Sequence, residues 1–205
     1  MSSTPRRGAY AVTVILAAAM YPSLLPGCTD TANIADVYTA LDGQGDRKRN
    51  VFFTDSKELH CIVEMGIGRR GVTIEVLFRQ LQTYDFVADK FFETDRVLAS
   101  AENNPQPADG IQQYDVSLLP ADPDGKTTDG APFPPGRYVC EVRLDGVLEK
   151  TAVFNIMFPP CPAATILSGT LCYGFYKKDL QCPRYGLTTR DPAQCTCSQT
   201  KGWQC

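Results

Sequence analysis

Residues 136–146, GRYVCEVRLDG, carry the clearest strand pattern in this chain. One face of the segment is apolar, because it carries at alternate positions Tyr138, Cys140, Val142 and Leu144. Asp145 and Gly146 form a dipeptide that tight hairpin turns prefer. Residues 147–158, VLEKTAVFNIMF, then return with Ala152, Phe154 and Ile156 on one face. The segment therefore predicts two antiparallel strands joined by a short turn.

Similar alternation recurs upstream in residues 58–65 (ELHCIVEM), 71–81 (GVTIEVLFRQL) and 112–120 (QQYDVSLLP). Residues 35–43, ADVYTALDG, add a possible edge strand. Turn-rich stretches at 102–110 and 120–136 separate the runs, and no long helical pattern with caps appears. Several short strands at this spacing predict an all-β chain that forms an antiparallel sandwich over residues 51–158.

Cys61 and Cys140 each fall on the apolar face of a predicted strand, and Tyr138 precedes Cys140 by two positions. This arrangement resembles the F strand of an immunoglobulin-like domain, in which the phenol anchors a corner. The resemblance implies that Cys61 is the B-strand partner and that a disulfide joins two facing sheets. Residues 72–81 lack the core tryptophan of antibody domains, so the resemblance is to the sandwich rather than to antibodies. The alternative is two unrelated buried thiols.

The tail, residues 159–205, differs in composition from the rest. It holds six of the nine cysteines, namely Cys161, Cys172, Cys182, Cys195, Cys197 and Cys205. A segment of this length buries too small a hydrophobic core to be stable on its own. Disulfides are therefore expected to stabilise it. Cys195 and Cys197 are too close to bridge each other, and their partners stay open. A zinc site is disfavoured, because no C-x-x-C pair is present there and the only histidine is His60.

The N-terminus has the pattern of an export signal. Arg6 and Arg7 precede an uncharged, largely apolar stretch over residues 8–27. Residues 25–28, LPGC, resemble the bacterial lipobox. The resemblance implies that residues 1–27 are removed, that Cys28 is lipidated, and that 28–50 hold the anchor, a tether and the possible edge strand. Thr29, rather than aspartate, after the cysteine implies the outer membrane. A transmembrane helix is the alternative, but Pro22 and Pro26 would break its last turns.

Export would place the chain in an oxidising compartment, where the eight cysteines other than Cys28 can pair without remainder. The tail segments CPAATILSGTLC (161–172) and CTCSQTKGWQC (195–205) resemble a cysteine-rich module of exported myxobacterial and deltaproteobacterial proteins. Residues 40–55 (ALDGQGDRKRNVFFTD) and 133–146 (FPPGRYVCEVRLDG) resemble the lipoproteins of that group. The resemblance implies a location and a structure, but no activity.

The net charge of the chain limits which classes of binding partner are expected. Only Arg6 and Arg7 precede Cys28, which leaves 18 basic against 23 acidic residues and a net charge of −5. Without a basic stripe, nucleic acid is not an expected partner. His60 beside Cys61 does not predict a catalytic pair, because strand alternation sends the two side chains to opposite faces.

The aromatic residues of the tail are the remaining candidate site. Tyr173, Phe175, Tyr176 and Tyr185 could form a surface that binds a protein or a glycan, or they could build the small core of the module. The sequence predicts a non-enzymatic, envelope-anchored binding or structural protein, attached to the membrane by its N-terminal lipid, without metal or cofactor. The alternative is an exported hydrolase with an unrecognised active site.

Overall fold

The structure, a computed structural model, describes residues 32–68, 71–105, 108–120, 131–162, 166–183 and 194–205. The predicted signal segment 1–27 and Cys28 lie outside these residues. The described part contains strands and no helix. The strands are β1 (Asn33–Ala40), β2 (Val51–Phe53), β3 (Leu59–Gly68), β4 (Ile74–Asp85), β5 (Lys90–Asn103), β6 (Ala108–Leu118), β7 (Gly136–Leu144), β8 (Val147–Met157), β9 (Gln181–Pro183), β10 (Gln194–Ser198) and β11 (Gly202–Gln204).

Two sheets form the sandwich. One has the order β1-β3-β6 and the other the order β2-β8-β7-β4-β5, while β11-β10-β9 form a third, small sheet in the tail. The run β8-β7-β4-β5 corresponds to the G-F-C-C′ order of variable-type immunoglobulin domains. Between the named strands, all described pairings are antiparallel except that of β2 with β8, which is parallel. The predicted fold is confirmed: an all-β, immunoglobulin-like sandwich followed by a small disulfide-rich module.

The core lies between the two sheets and is built from the predicted alternating positions. On β3 the fully buried inward side chains are Leu59, Cys61, Val63 and Met65. The disulfide between Cys61 and Cys140 crosses the core, because β3 and β7 belong to different sheets. Phe78 lies opposite Cys140 in the register of β4 and β7, and its ring meets Phe154 edge-on at 6.3 Å.

The Tyr138 phenol forms the predicted corner. Its hydroxyl donates to the carbonyl of Pro134, four residues upstream, and accepts a hydrogen bond from Gln80 Nε2 at 2.9 Å. The ring is fully buried and stacks on Phe154 at 5.4 Å. Burial raises the pKa of this phenol well above its usual range. The buried hydroxyl therefore has a partner both as a donor and as an acceptor of hydrogen bonds.

Several elements differ from the sequence expectation: β2 was not expected, and β5 and β6 extend into the predicted turn stretch 102–110. Strand β5 was not predicted, because as an edge strand it exposes residues on both faces and lacks a clean alternation. Its register with β4 is also shifted by irregularities on either side of Arg79, whose guanidinium pairs with Asp95 on β5. Strand β1 begins earlier than predicted, and Ile34 and Val37 join the core, so this part of 28–50 belongs to the sandwich.

The sandwich has two distinct ends. Strands β1 and β8 begin at the same end, since Lys150 Nζ donates to the carbonyl of Ala35 at 2.6 Å and Val37 to Thr39 lie beside Ala152. We call this the N-terminal end; it also holds the turn between β7 and β8. The opposite, C-terminal end holds the end of β8, from which the tail departs, and the turn between β4 and β5.

Candidate functional site

All eight cysteines of the described chain are paired. The tail disulfides join Cys161 with Cys182, Cys172 with Cys197, and Cys195 with Cys205. The prediction that these eight cysteines form disulfides is confirmed. Cys195 and Cys197 go to different partners, as their spacing requires. They fix β10 between the loop that carries Cys172 and the strand that leads to Cys205.

The small core of the tail forms around these bridges. Four of its cysteines are fully buried together with Ile166 and Trp203: Cys172, Cys182, Cys195 and Cys197. Gly202 has a φ of +68° and turns the chain so that the Trp203 amide donates to the carbonyl of Thr170 at 2.9 Å. The Gly169 amide donates in return to the carbonyl of Trp203 at 2.7 Å. Residues 166–172 are thereby held to β11.

The predicted aromatic residues take part in packing. The Tyr173 ring lies 5.2 Å from that of Phe86, and the Tyr176 ring lies 5.3 Å from that of Trp203. Phe175 is half-buried, and its carbonyl accepts a hydrogen bond from the hydroxyl of Thr54. Tyr185 lies outside the described residues. The three described rings stay partly accessible, so their role in binding stays a prediction.

An aromatic seam, defined by Tyr84, Phe86, Phe158 and Tyr173, joins the tail to the C-terminal end of the sandwich. Neighbouring rings meet edge-on or tilted with centroids 5.2–5.9 Å apart. At its border Lys177 Nζ lies 3.5 Å from the carboxylate of Asp89. Burial, and secondly a hydrogen bond to Asp89, raises the pKa of Tyr84 to about 12. The same hydrogen bond lowers the pKa of the Asp89 carboxyl.

We expect residues 29–160, made without the tail, to fold and melt cooperatively. Their core and the disulfide between Cys61 and Cys140 involve no tail residue. The loss of the seam uncovers Phe86 and Phe158, which should lower the melting temperature without abolishing the transition. Thermal melting followed by circular dichroism measures this. The full chain with Phe86→Ala is the matched comparison, and a gradual, non-cooperative melt of the shortened chain would contradict the expectation.

Two leucines project from the tail where sequence reasoning found no site. Leu167 is 60% exposed and Leu171 is 72% exposed, on either side of a turn at Ser168 and Gly169. The loop is fixed by its hydrogen bonds to Trp203 and by the adjacent Cys172, so these side chains are presented rigidly. The signal in the sequence is ILSGTLC, in which leucines flank a Ser-Gly pair and precede a cysteine. A fixed apolar pair suits contact with another macromolecule.

His60 is the one histidine, and it lies on the outer face of β3. Its Nδ1 is 2.9 Å from the Asp115 carboxylate, and its Nε2 is 3.4 Å from that of Glu58. The residue is only 6% exposed, and Nε2 makes no hydrogen bond in the described structure. Cys61, its neighbour in sequence, is in the core disulfide on the other face. This arrangement holds an imidazole between carboxylates but offers no nucleophile to it.

A shallow groove of about 340 Å³ runs between β1 and β8 and is lined in part by Tyr38, Lys48, Arg49 and Val153. Lys48 Nζ already lies 3.4 Å from the centre of the Tyr38 ring and 3.6 Å from the Asp36 carboxylate. Among the described residues, no group of three or more histidine, cysteine, aspartate or glutamate side chains is arranged so that it could hold a metal ion. None of the described residues forms a helix with the length and apolarity that a bilayer crossing needs.

Comparison with known proteins adds little. No protein-family model and no curated protein sequence matches this chain. Three solved structures illustrate the distant likenesses, each aligned over 62% of this chain. They are an alkylpurine DNA glycosylase from Pseudomonas fluorescens (11% identity, 30% of its length, TM-score 0.36), a β-glucosidase from Erythrobacter marinus (14%, 15%, 0.34) and a sporulation control protein from Bacillus subtilis (14%, 48%, 0.29). The chain thus spans less than half of each, and such likeness does not identify a shared activity.

Proposed function

We propose that this chain is an exported lipoprotein, anchored through Cys28 in the outer membrane, whose sandwich carries a non-enzymatic binding or structural module away from the bilayer. The observation that carries the proposal is the placement of the two ends. Strand β1 begins at the N-terminal end of the sandwich, and the tail departs from the C-terminal end.

The segment between Cys28 and β1 is short enough to keep the N-terminal end of the sandwich near the lipid. Five residue steps separate Cys28 from Asn33, so an anchored Cys28 keeps the start of β1 within ~17 Å of its lipid. Strand β8 has 11 residues and therefore spans about 36 Å between the two ends. An anchor at Cys28 thus allows the sandwich to act as a spacer, with the disulfide-rich module farther from the membrane than the sandwich.

The binding role rests on the exposed face of the tail. Leu167 and Leu171 are fixed by the bridges around them, so contact with a partner costs little conformational entropy. The half-buried rings of Tyr173 and Tyr176 can add to such a surface. A protein or a glycan is the partner class that these aromatic and apolar groups fit.

A hydrolase is not favoured by any observation in the described residues. The cluster of His60, Glu58 and Asp115 is the arrangement closest to a catalytic one, but its imidazole is buried and the cluster lacks a nucleophile. The groove between β1 and β8 presents cations and an aromatic ring rather than an acid–base pair. A binding or structural role therefore has more support.

We expect Cys28→Ala to abolish labelling by radioactive palmitate and to release the chain from the membrane fraction or block its processing. The thioether to the lipid can form only on the sulfur, and stable attachment requires the several acyl chains of a mature lipoprotein. The measurement is palmitate incorporation together with fractionation of the producing cells. Thr29→Ala, one residue away, is the matched control and should keep the label. A Cys28→Ala chain that still incorporates palmitate would refute the anchor.

A further inference from the structure

The turn between β7 and β8 exposes two adjacent apolar side chains. Val147 is 62% exposed and Leu148 is 51% exposed. The turn is tight, since Asp145 and Gly146 both have positive φ angles, 48° and 82°. The Asp145 carboxylate accepts a hydrogen bond from the Thr73 amide at 2.9 Å, which fixes the turn to the start of β4. Within the described chain, the pair therefore projects from a rigid hairpin.

This hairpin lies beside the point where the chain enters the sandwich. The hydrogen bond from Lys150 to the Ala35 carbonyl joins β8 to β1 two residues after Leu148. With the lipid on Cys28, five residue steps from Asn33, the start of β1 cannot lie more than ~17 Å from the lipidated residue. Val147 and Leu148 are thus held close to the lipid headgroups whenever the anchor is in place.

The charges around the turn specify the kind of contact. Asp145 and Glu149 flank the apolar pair, and the ammonium group of Lys150 is already bonded to Ala35. Arg143, on the strand beside the turn, is already paired with two carboxylates, so the described residues around the turn offer no free cationic cluster that would attract anionic lipids. Contact must come from transfer of apolar side chains into the interface, which is insensitive to salt.

Resting on the proposed lipid anchor, we propose that Val147 and Leu148 dock on the bilayer surface and fix the orientation of the sandwich on the membrane. Val153 and Met157 lie on the same strand and are as exposed, at 52% each. They project from the face of the five-stranded sheet, farther toward the C-terminal end. The turn therefore contacts a zwitterionic lipid surface, whereas the face of the sheet does not.

The test uses Trp fluorescence and lipids that carry bromine in their acyl chains. The chain from Thr29 onward, with a hexahistidine segment in place of the lipid, is held on phosphatidylcholine vesicles through a nickel-chelating lipid. Val147→Trp is compared with Val153→Trp, and Trp203, the single natural tryptophan, is kept as the common background. The added tryptophans stand about 20 Å apart along β8. We expect brominated lipid to quench the added fluorescence at 147 at least about two-fold more than at 153, at low and at high salt.

Equal quenching at the two positions would overturn the docking. Hydrogen exchange on the unsubstituted chain provides a second measurement, in which vesicles should slow the amides of residues 146–149 and leave those of 153–157 unchanged. Protection without vesicles that grows with protein concentration would show that a second copy covers the turn, and would also overturn the proposal. Because the hexahistidine segment holds the N-terminus at the bilayer, this outcome is independent of whether Cys28 receives a lipid in the cell. Failure of the palmitate test refutes the anchor, and failure of the quenching test refutes the docking.

Discussion

Changing both Cys61 and Cys140 to alanine is expected to lower the free energy of unfolding of the sandwich by about 4 kcal/mol. The two residues are 79 positions apart, so the bridge removes much of the freedom of the unfolded chain. Both are fully buried between the sheets, so the change also leaves a small cavity beside Phe78. A chain of this size should then melt about 8–16 °C lower.

Two spectroscopic signals separate this effect from one in the tail. Circular dichroism is dominated by the strands of the sandwich, whereas fluorescence comes from Trp203 in the tail. The matched control changes Cys161 and Cys182 to alanine, which should shift the fluorescence transition and leave most of the dichroism transition in place. A sandwich that melts at its original temperature without Cys61 and Cys140 would show that the bridge does not stabilise it.

Gly136→Ala should destabilise the sandwich by about 3 kcal/mol or more. A Cβ placed on Gly136 would stand 1.8 Å from the carbonyl oxygen of Gln82. That oxygen belongs to the backbone of β4, just past its irregular pairing with β5, so it cannot move without disturbing two strands. The adjacent hydrogen bond from the Tyr84 amide to the Pro135 carbonyl, 3.0 Å long, holds the same crossing together.

Two other glycines serve as controls for urea unfolding of this variant. Gly71 has open space around it, so Gly71→Ala should change the free energy of unfolding by less than about 0.5 kcal/mol. Gly146 also has open space, but its φ of +82° makes Gly146→Ala cost about 1–2 kcal/mol through the backbone alone. If Gly136→Ala is no worse than Gly146→Ala, the close approach of β4 and β7 is not a constraint on the fold.

The sandwich could be predicted because the buried face of a strand carries apolar side chains at alternate positions in the sequence. Leu59, Cys61, Val63 and Met65 point inward, and so does the β7 face that begins at Tyr138. Strand β5 could not be predicted in this way, because one of its edges has no partner strand among the described residues and both its faces meet solvent. The parallel pairing of β2 with β8 could not be predicted either, because β2 has three residues, which are too few to show a hydrophobic periodicity.

The tail shows what composition can and cannot give. The number and setting of its cysteines predicted full pairing, and the spacing of Cys195 and Cys197 predicted separate partners. Which partners these are depends on three-dimensional proximity, which spacing does not encode. The aromatic residues were predicted as a possible binding surface because of their residue type. In the structure the ring of Tyr173 packs against Phe86, and that of Tyr176 packs against Trp203. The exposed leucines are ordinary residues, and only the structure shows that Leu167 and Leu171 face outward.

The three tail bridges have a consequence for resistance of the tail to proteolysis. The loop closed by Cys161 and Cys182 overlaps the one closed by Cys172 and Cys197, which in turn overlaps the one closed by Cys195 and Cys205. Every peptide bond from position 161 to 205 therefore lies inside at least one closed loop. A single proteolytic cut anywhere in this segment leaves two pieces that are still covalently joined. A protease can therefore cleave the module once without releasing any part of it from the chain.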